Sequence, residues 1–249
     1  MLSSARQESR PRDHEWEMSL TLKLEGKVAL IAGGIGEEAV RLFAANGASF
    51  VVADIQDDLG HQVVASIGSD RVSYCRCDFR DENQVENTVK FTLEKYGSLD
   101  ILFSNAGVMG PMTGILDLDI QGFDNTMATN VRGVAATIKH AARAMVARSV
   151  RGSIICTTSV AASLGGTAPH SYTTSKTMAE HECCERGTIR NEVEANSSAI
   201  GNLKGIVLKA RHVAEAALFL AADESAYVSG HNLVIDGGFT VVDHSFSAN

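Results

Sequence analysis

The chain has 249 residues, of which 22 are Lys or Arg and 30 are Asp or Glu, giving a formal charge of −8. That length suits one α/β domain with a sizeable core, and the acidic balance argues against a nucleic-acid surface, which needs clustered positive charge. No apolar run approaches the roughly 18 residues of a membrane-spanning helix, so neither nucleic acid nor membrane is expected as a partner.

Residues 1–20 read as a disordered polar tail: the stretch lacks the apolar core of a secretory signal, and Glu8, Asp13, Glu15 and Glu17 disfavour a transit peptide. The expected compartment is the cytosol, with one domain over residues 21–243 and a short tail at 244–249. Gly26 to Gly33, GKVALIAG, is an apolar run closed by glycine, the mark of a parallel strand buried on both faces. A helical stretch with Val40, Leu42, Phe43 and Ala44 follows and stops at Gly47. Ser49 to Ile55 forms a second strand, Asp57 to Ile67 a helix, Arg71 to Asp78 a strand, and Asp81 to Tyr96 a helix with its apolar stripe at Val85, Val89 and Leu93. Leu99 to Ser104 is a fourth strand leading into Asn105-Ala106-Gly107, and a long helix is expected from Phe123 to Arg148. This alternation predicts a doubly wound, Rossmann-like parallel sheet.

Gly152 to Lys176 carries the chemistry. An apolar strand through Ile154, Ile155 and Cys156 ends near Ser159, and a small-residue loop leads to Tyr172 and Lys176, four residues apart. On a helix that spacing puts both side chains on one face. A free tyrosine has a pKa of about 10, and a fixed ammonium nearby favours its phenolate, making Tyr172 usable as a proton acceptor and donor. Ser159 could hydrogen-bond the oxygen of an alcohol or carbonyl held there. A lone Y-x-x-x-K is otherwise a solvated helix pair.

Sheets of this type bind ligands at the carboxyl ends of their strands. Gly33, Gly36, Asp54, Asp78, Asn105 to Gly107 and Ser159 all fall at such ends. Asp54 follows the first glycine turn by about 20 residues, as expected of an acid that accepts from both ribose hydroxyls of an adenosine. A carboxylate there repels the extra phosphate of NADP, so NAD is favoured. The bland alternative makes the glycines turn residues and Asp54 a helix cap. The five cysteines, Cys75, Cys77, Cys156, Cys183 and Cys184, match no standard zinc spacing. They read as reduced structural thiols, and no metal is expected.

Taken together, GKVALIAGGIG, Asp54, CDF around Asp78, SNAG, TNVRG, the Ser159–Tyr172–Lys176 set and VIDGG resemble the short-chain dehydrogenase/reductase family. The resemblance runs from about Leu22 to Val242 and is greatest to NAD-dependent members of terpenoid and lignan metabolism. It implies hydride exchange between NAD(H) and a secondary alcohol or ketone of a small apolar substrate. Tyr172 would be the acid/base, Ser159 the hydroxyl orienting substrate, Lys176 both the pKa modifier and a ribose contact, and Asn130 the helix residue supporting a water-mediated proton relay. Asp78 would meet the adenine amino group, and Asn105, Ala106 and Gly107 would line the adenosine. Gly33, Gly34, Ile35, Gly36, Ile55 and Phe79 complete the implied cofactor set.

Two departures stand out. The family's turn T-G-x-x-x-G-x-G is here Ala32-Gly33-Gly34-Ile35-Gly36, without the threonine and the three intervening residues. After Lys176 the family's long helix, sixth strand and Pro-Gly turn give way to TMAEHECCERGTIRNEVEANSSAIGNLKGIVLK. In that stretch Ile206-Val207-Leu208 is the best candidate for a replacement strand. The reading is an internally shortened member, with irregular structure over residues 186–209 and a gap in the sheet before a last strand at His231 to Gly237. Residues near Met109, Met112, Leu164 and His170 suggest a largely apolar substrate pocket. The resemblance implies homo-oligomers, weaker here because the helix after Tyr172 decays into His181, Glu182, Glu185, Arg186 and Gly187. The alternative is a catalytically impaired relative kept as a nucleotide-binding or interaction domain.

Overall fold

The structure, a computed structural model, describes residues 22–33, 37–68, 70–182, 188–190, 203 and 205–241. Its strands are β1 (Val28–Ala32), β2 (Ser49–Asp54), β3 (Val72–Arg76), β4 (Ile101–Ser104), β5 (Ser153–Thr158), β6 (Thr188–Arg190) and β7 (Asn232–Leu233). They form one seven-stranded sheet in the order β3-β2-β1-β4-β5-β6-β7, every pair parallel. The order reverses between β1 and β4, which opens the crevice where doubly wound sheets take their ligands.

Because side chains alternate along a strand, the apolar runs feed two cores at once. Ala29, Ile31, Phe50, Val52, Phe103 and Ile155 pack with Val40 and Phe43 of helix α1 (Glu37–Ala45). Val213 and Ala217, from the helix Ala210–Ala221, join the same layer. Leu30, Ala32, Val51, Leu102 and Ile154 face the opposite layer, with Val85 and Val89 of a helix Glu82–Tyr96 and Val134 and Ala141 of a helix Val134–Ala147. In chain order these helices are α1, α2 (Asp57–Ile67), α3 (Glu82–Tyr96), α4 (Ile120–Met127), α5 (Val134–Ala147), α6 (His170–Glu182) and α7 (Ala210–Ala221). Helix boundaries follow local chemistry: the Asp81 side chain accepts from the Asn83 amide at the start of α3, and Gly97, at φ +81°, ends it in the left-handed conformation that glycine tolerates.

Several expectations change. The long helix predicted from Phe123 to Arg148 is interrupted: Ala128–Gly133 is π-helical and joins α4 to α5. The expected gap in the sheet does not occur, because Thr188–Arg190 pairs with β5 through Cys156↔Thr188 and Thr158↔Arg190, and with β7 through Thr188↔Asn232. The open edge of β5 carries backbone groups that need partners, and the Thr-Ile pair is β-branched and suited to a strand. Ile206–Leu208 is not a strand. What persists is thinness: β6 has three residues and β7 two, where the predicted last strand ran to Gly237. Most of the stretch expected to be irregular lies outside the described residues, as do both tails. Finally, Cys156 is disulfide-bonded rather than reduced, while Cys75 and Cys77 are free; Cys183 and Cys184 lie outside the described residues.

Candidate active site

Helix α6 is fastened to the end of β5 by two hydrogen bonds. Lys176 Nζ donates to the Thr157 carbonyl at 3.0 Å, and Thr177 Oγ1 donates to the Ala162 carbonyl at 3.2 Å. Between those anchors lies Ser159, buried, whose Oγ accepts from the Ala161 amide at 3.2 Å and starts the 3-10 turn Val160–Ala162. Lys176 is only 4% exposed, and burial pushes its ammonium down to about 8. Its Nζ lies 5.6 Å from the centroid of the Tyr172 ring. The pair that spacing placed on one helical face is therefore one partly buried phenol beside a cation that burial has made easier to discharge.

Asn130 sits in the π-helical turn, fully buried, and its carboxamide is bonded at both ends. Oδ1 accepts from the Val108 amide at 2.8 Å, and Nδ2 donates to the Val108 carbonyl at 2.9 Å and to Ser175 Oγ at 2.9 Å. Ser175 Oγ in turn donates to the Tyr172 carbonyl at 2.8 Å. A wider turn of this kind re-aims a side chain and is frequent at functional sites. It is admitted here by Gly133, where a Cβ would stand 2.9 Å from the Phe79 carbonyl oxygen. Asn130 thus ties the loop after β4 to the helix carrying Tyr172 and Lys176.

The remaining predicted residues flank this cluster. Gly33, at φ +71°, lies so close to Ala106 that a Cβ would fall 2.3 Å from its Cα. Asn105 donates from its amide to the Ala32 carbonyl and from its side chain to the Gly33 carbonyl, while Thr157 Oγ1 donates to Asn105 Oδ1 at 2.7 Å. Asp54 is buried at the end of β2 and accepts from the Gln56 amide; Ile55 beside it is half exposed. Asp78 is gripped by Arg80, whose Nη2 approaches to 2.6 Å, and this pairing holds its carboxyl below the usual range. Phe79 is buried. Gly34, Ile35 and Gly36 lie outside the described residues, although β1 ends at Ala32 and α1 begins at Glu37, so strand does run almost directly into helix. Met109 and Met112 are exposed, and a cleft of about 390 Å³ opens instead among Phe79, Arg80, Asp81, Glu82, Arg132 and Ala136.

Sequence reasoning missed Thr157 and Ser175. Thr157 joins the lysine helix to the Asn105 loop through its carbonyl and its hydroxyl, a backbone role no residue type announces. Ser175 was discoverable, since a serine three residues after Tyr172 can return a hydrogen bond to its carbonyl.

The short chain dehydrogenase family matches residues 27–210, well over half the chain. The chain belongs to the short-chain dehydrogenase/reductase family. An enoyl-(acyl carrier protein) reductase family also matches residues 185–240. Short-chain dehydrogenase reductase 3b of Arabidopsis thaliana is 55% identical over 251 residues, covering 88% of this chain and 98% of that protein. Secoisolariciresinol dehydrogenase of Forsythia intermedia is 42% identical, covering 90% and 92%. The crystal structure of a short-chain type dehydrogenase/reductase from Mycobacterium marinum superposes with a TM-score of 0.82 at 28% identity, covering 89% of this chain and 98% of that one. Since 88% of 249 residues is about 219, about 32 of the 251 positions aligned to the Arabidopsis protein have no residue here. This short-chain dehydrogenase is therefore shortened internally.

Members of the family are oxidoreductases that bind nicotinamide cofactors. The residues of this short-chain dehydrogenase fit such a group. A Cβ at Gly107 would come within 3.3 Å of Lys176 Nζ, filling the space beside the ammonium. Thr158, next to Ser159, keeps a buried hydroxyl without a hydrogen-bond partner, a polar atom that a ligand carboxamide or water would satisfy. No described helix is long and apolar enough to cross a membrane.

Proposed function

We propose that the chain exchanges a hydride between NAD(H) and a secondary alcohol or ketone of a small apolar, terpenoid- or lignan-like molecule. The observation that carries this reading is the buried Lys176 ammonium beside the Tyr172 ring. NAD, when bound, supplies the hydride acceptor. Tyr172 takes the alcohol proton on oxidation and returns it on reduction, its phenolate favoured by the Lys176 charge. Ser159 Oγ accepts from the Ala161 amide, so its own hydrogen can be donated to the substrate oxygen. Asn130 and Thr157 position this machinery from the Val108 loop and from β5. At the other end Asp54 receives the ribose hydroxyls, and its charge disfavours NADP. Asn105, Ala106 and Gly107 line the adenosine, with Asp78 meeting the adenine amino group from within the Arg80 fork. An apolar substrate is supported by Met109 and Met112 at the loop after β4 and by the 42% identity to secoisolariciresinol dehydrogenase.

The test is direct. Titration with NADH and NADPH followed by an alcohol-oxidation screen should give tighter NADH binding and turnover that Tyr172→Phe removes. Equal or tighter NADPH binding, or a Tyr172→Phe variant nearly as active as the parent, overturns the reading. A second reading, a catalytically impaired relative, is favoured by the four residues left between β1 and α1; it predicts no turnover even where NADH binds. Self-association weaker than the family's oligomers also follows from the shortened helix α6, and a concentration-independent tetramer in sedimentation would contradict it.

A further inference from the structure

Arg76 closes β3 directly beside Asp54, its register partner at the end of β2, and α2 begins three residues after Asp54 with Asp57. Three charges thus meet at the edge where the reading above seats the adenosine ribose. Arg76 Nη1 reaches over the turn, donating to the Ile55 carbonyl at 2.7 Å and to Asp57 Oδ2 at 2.8 Å. The other carboxylate oxygen of Asp57 accepts from the Tyr74 hydroxyl at 2.8 Å, and that hydroxyl also lies 2.7 Å from the Asp54 carbonyl oxygen. Tyr74 is fixed from beneath. Its ring occupies the space a Cβ of Gly60 would fill, 2.2 Å away, and it packs against His61 with centroids 4.9 Å apart. The Tyr74 hydroxyl and Arg76 together hold the Asp57 carboxyl below its usual range, so it is charged near neutral pH.

Both members of the Arg76–Asp57 pair are about half exposed, and such a pair contributes little to stability. Its consequence lies in recognition. An arginine near the ribose is the group that accommodates a 2′-phosphate, because a guanidinium forms strong paired bonds with phosphate oxygens. Here that guanidinium is already neutralised and held.

We propose that Asp57 is a specificity-determining residue: by pairing with Arg76 it withholds the guanidinium from a 2′-phosphate, reinforcing the exclusion of NADP that Asp54 begins. This rests on the reading of Asp54 as the ribose acid. Replacing Asp57 leaves Arg76 hydrogen-bonded only to a backbone carbonyl, free to turn toward an added phosphate, and removes one negative charge from the edge.

The test is a set of dissociation constants for NADH and NADPH by ligand fluorescence, with far-UV circular dichroism confirming the fold. Asp57→Ala should tighten NADPH by about tenfold, the worth of one charge-assisted contact, while NADH stays within about threefold. Asp57→Ala combined with Arg76→Ala should return NADPH to the parent value. Asp57→Asn, which keeps a side-chain acceptor for Tyr74, should move NADPH in the same direction by less, and it decides the matter if the alanine variant does not fold. Unchanged NADPH affinity in the Asp57 variants, or a gain that survives loss of Arg76, overturns the proposal. The parent's own preference between NADH and NADPH judges the Asp54 reading separately, since the coupling between Asp57 and Arg76 is read from NADPH alone.

Discussion

The two halves of the sheet are built unlike each other. From β3 to β5 the strands have four to six residues, those from β2 to β5 are almost wholly buried, and both cores draw on them; at the other edge β6 and β7 have three and two. The candidate catalytic cluster hangs from the thick half, through β5, the π-helical turn and the first turns of α6. The thin edge and the abbreviated turn after β1 are the two short places of the fold. A sheet of this type can lose length at its edge and still close its hydrogen bonds, while the machinery stays where burial is deepest. Chemistry and most of the stability should therefore be set by the thick half, and cofactor binding by the abbreviated turn.

The largest effect expected is on turnover. If Tyr172 is the general acid–base of the proposed reaction, Tyr172→Phe should lower kcat by roughly 10²–10⁴-fold, with thermal stability and NADH affinity nearly unchanged. A small loss of activity would mean that the thick half does not carry the reaction. Next is the turn. Inserting three residues between Gly33 and Gly34 restores room for amides to converge on the pyrophosphate, and two charge-assisted bonds regained correspond to about a hundredfold tighter NADH binding. No change in the NADH dissociation constant would show that the abbreviated turn is not what limits binding.

Stability should divide the same way. Phe50, fully buried on β2, should cost about 3–5 kcal/mol when replaced by alanine. Leu233, partly buried on the two-residue strand β7, should cost about 1 kcal/mol or less. Equal losses in urea unfolding would erase the contrast.

A further effect is in pH dependence. Lys176 has a folded pKa of about 8, below its ordinary 10.5. Below pH 8 both folded and unfolded chains are protonated and the full cost of burying the charge is present. Between about 8 and 10.5 the folded state has released its proton while the unfolded state keeps it, so this group makes stability rise with pH, by up to about 3 kcal/mol. Lys176→Met lacks that proton, so its stability relative to the parent should fall between pH 7 and pH 10. A pH-independent difference in urea midpoints would contradict the burial argument.

Much of this was legible in the sequence, and the reasons differ by region. The runs VALIA and SFVVAD could only be strands covered on both faces, and Gly68 and Gly97 stop their helices in the left-handed conformation. The spacing of Tyr172 and Lys176 told that the two share a face. It did not tell that Lys176 would be buried and bonded to a carbonyl, since burial is decided by what packs on top. The π-helical turn was illegible because Thr-Asn-Val-Arg-Gly keeps the apolar spacing of an ordinary helix. Strand β6 was missed because three residues are too few for a period-2 pattern to register. Its pairing comes from the exposed edge of β5 rather than from its own sequence.

The side-chain hydrogen bonds of Asn130, Thr157, Ser159, Ser175 and Lys176 begin and end within residues 105–177, and only Asn105 ties this set outward, to Ala32 and Gly33. One uninterrupted length of chain thus carries its own scaffolding. Such a segment can pass through loss of sequence on either side as a unit, keeping its internal geometry while its surroundings change. A lineage that trims this fold elsewhere would go on inheriting this hydrogen-bonded segment whole, with the Tyr172–Lys176 pair in place, whatever becomes of its surroundings.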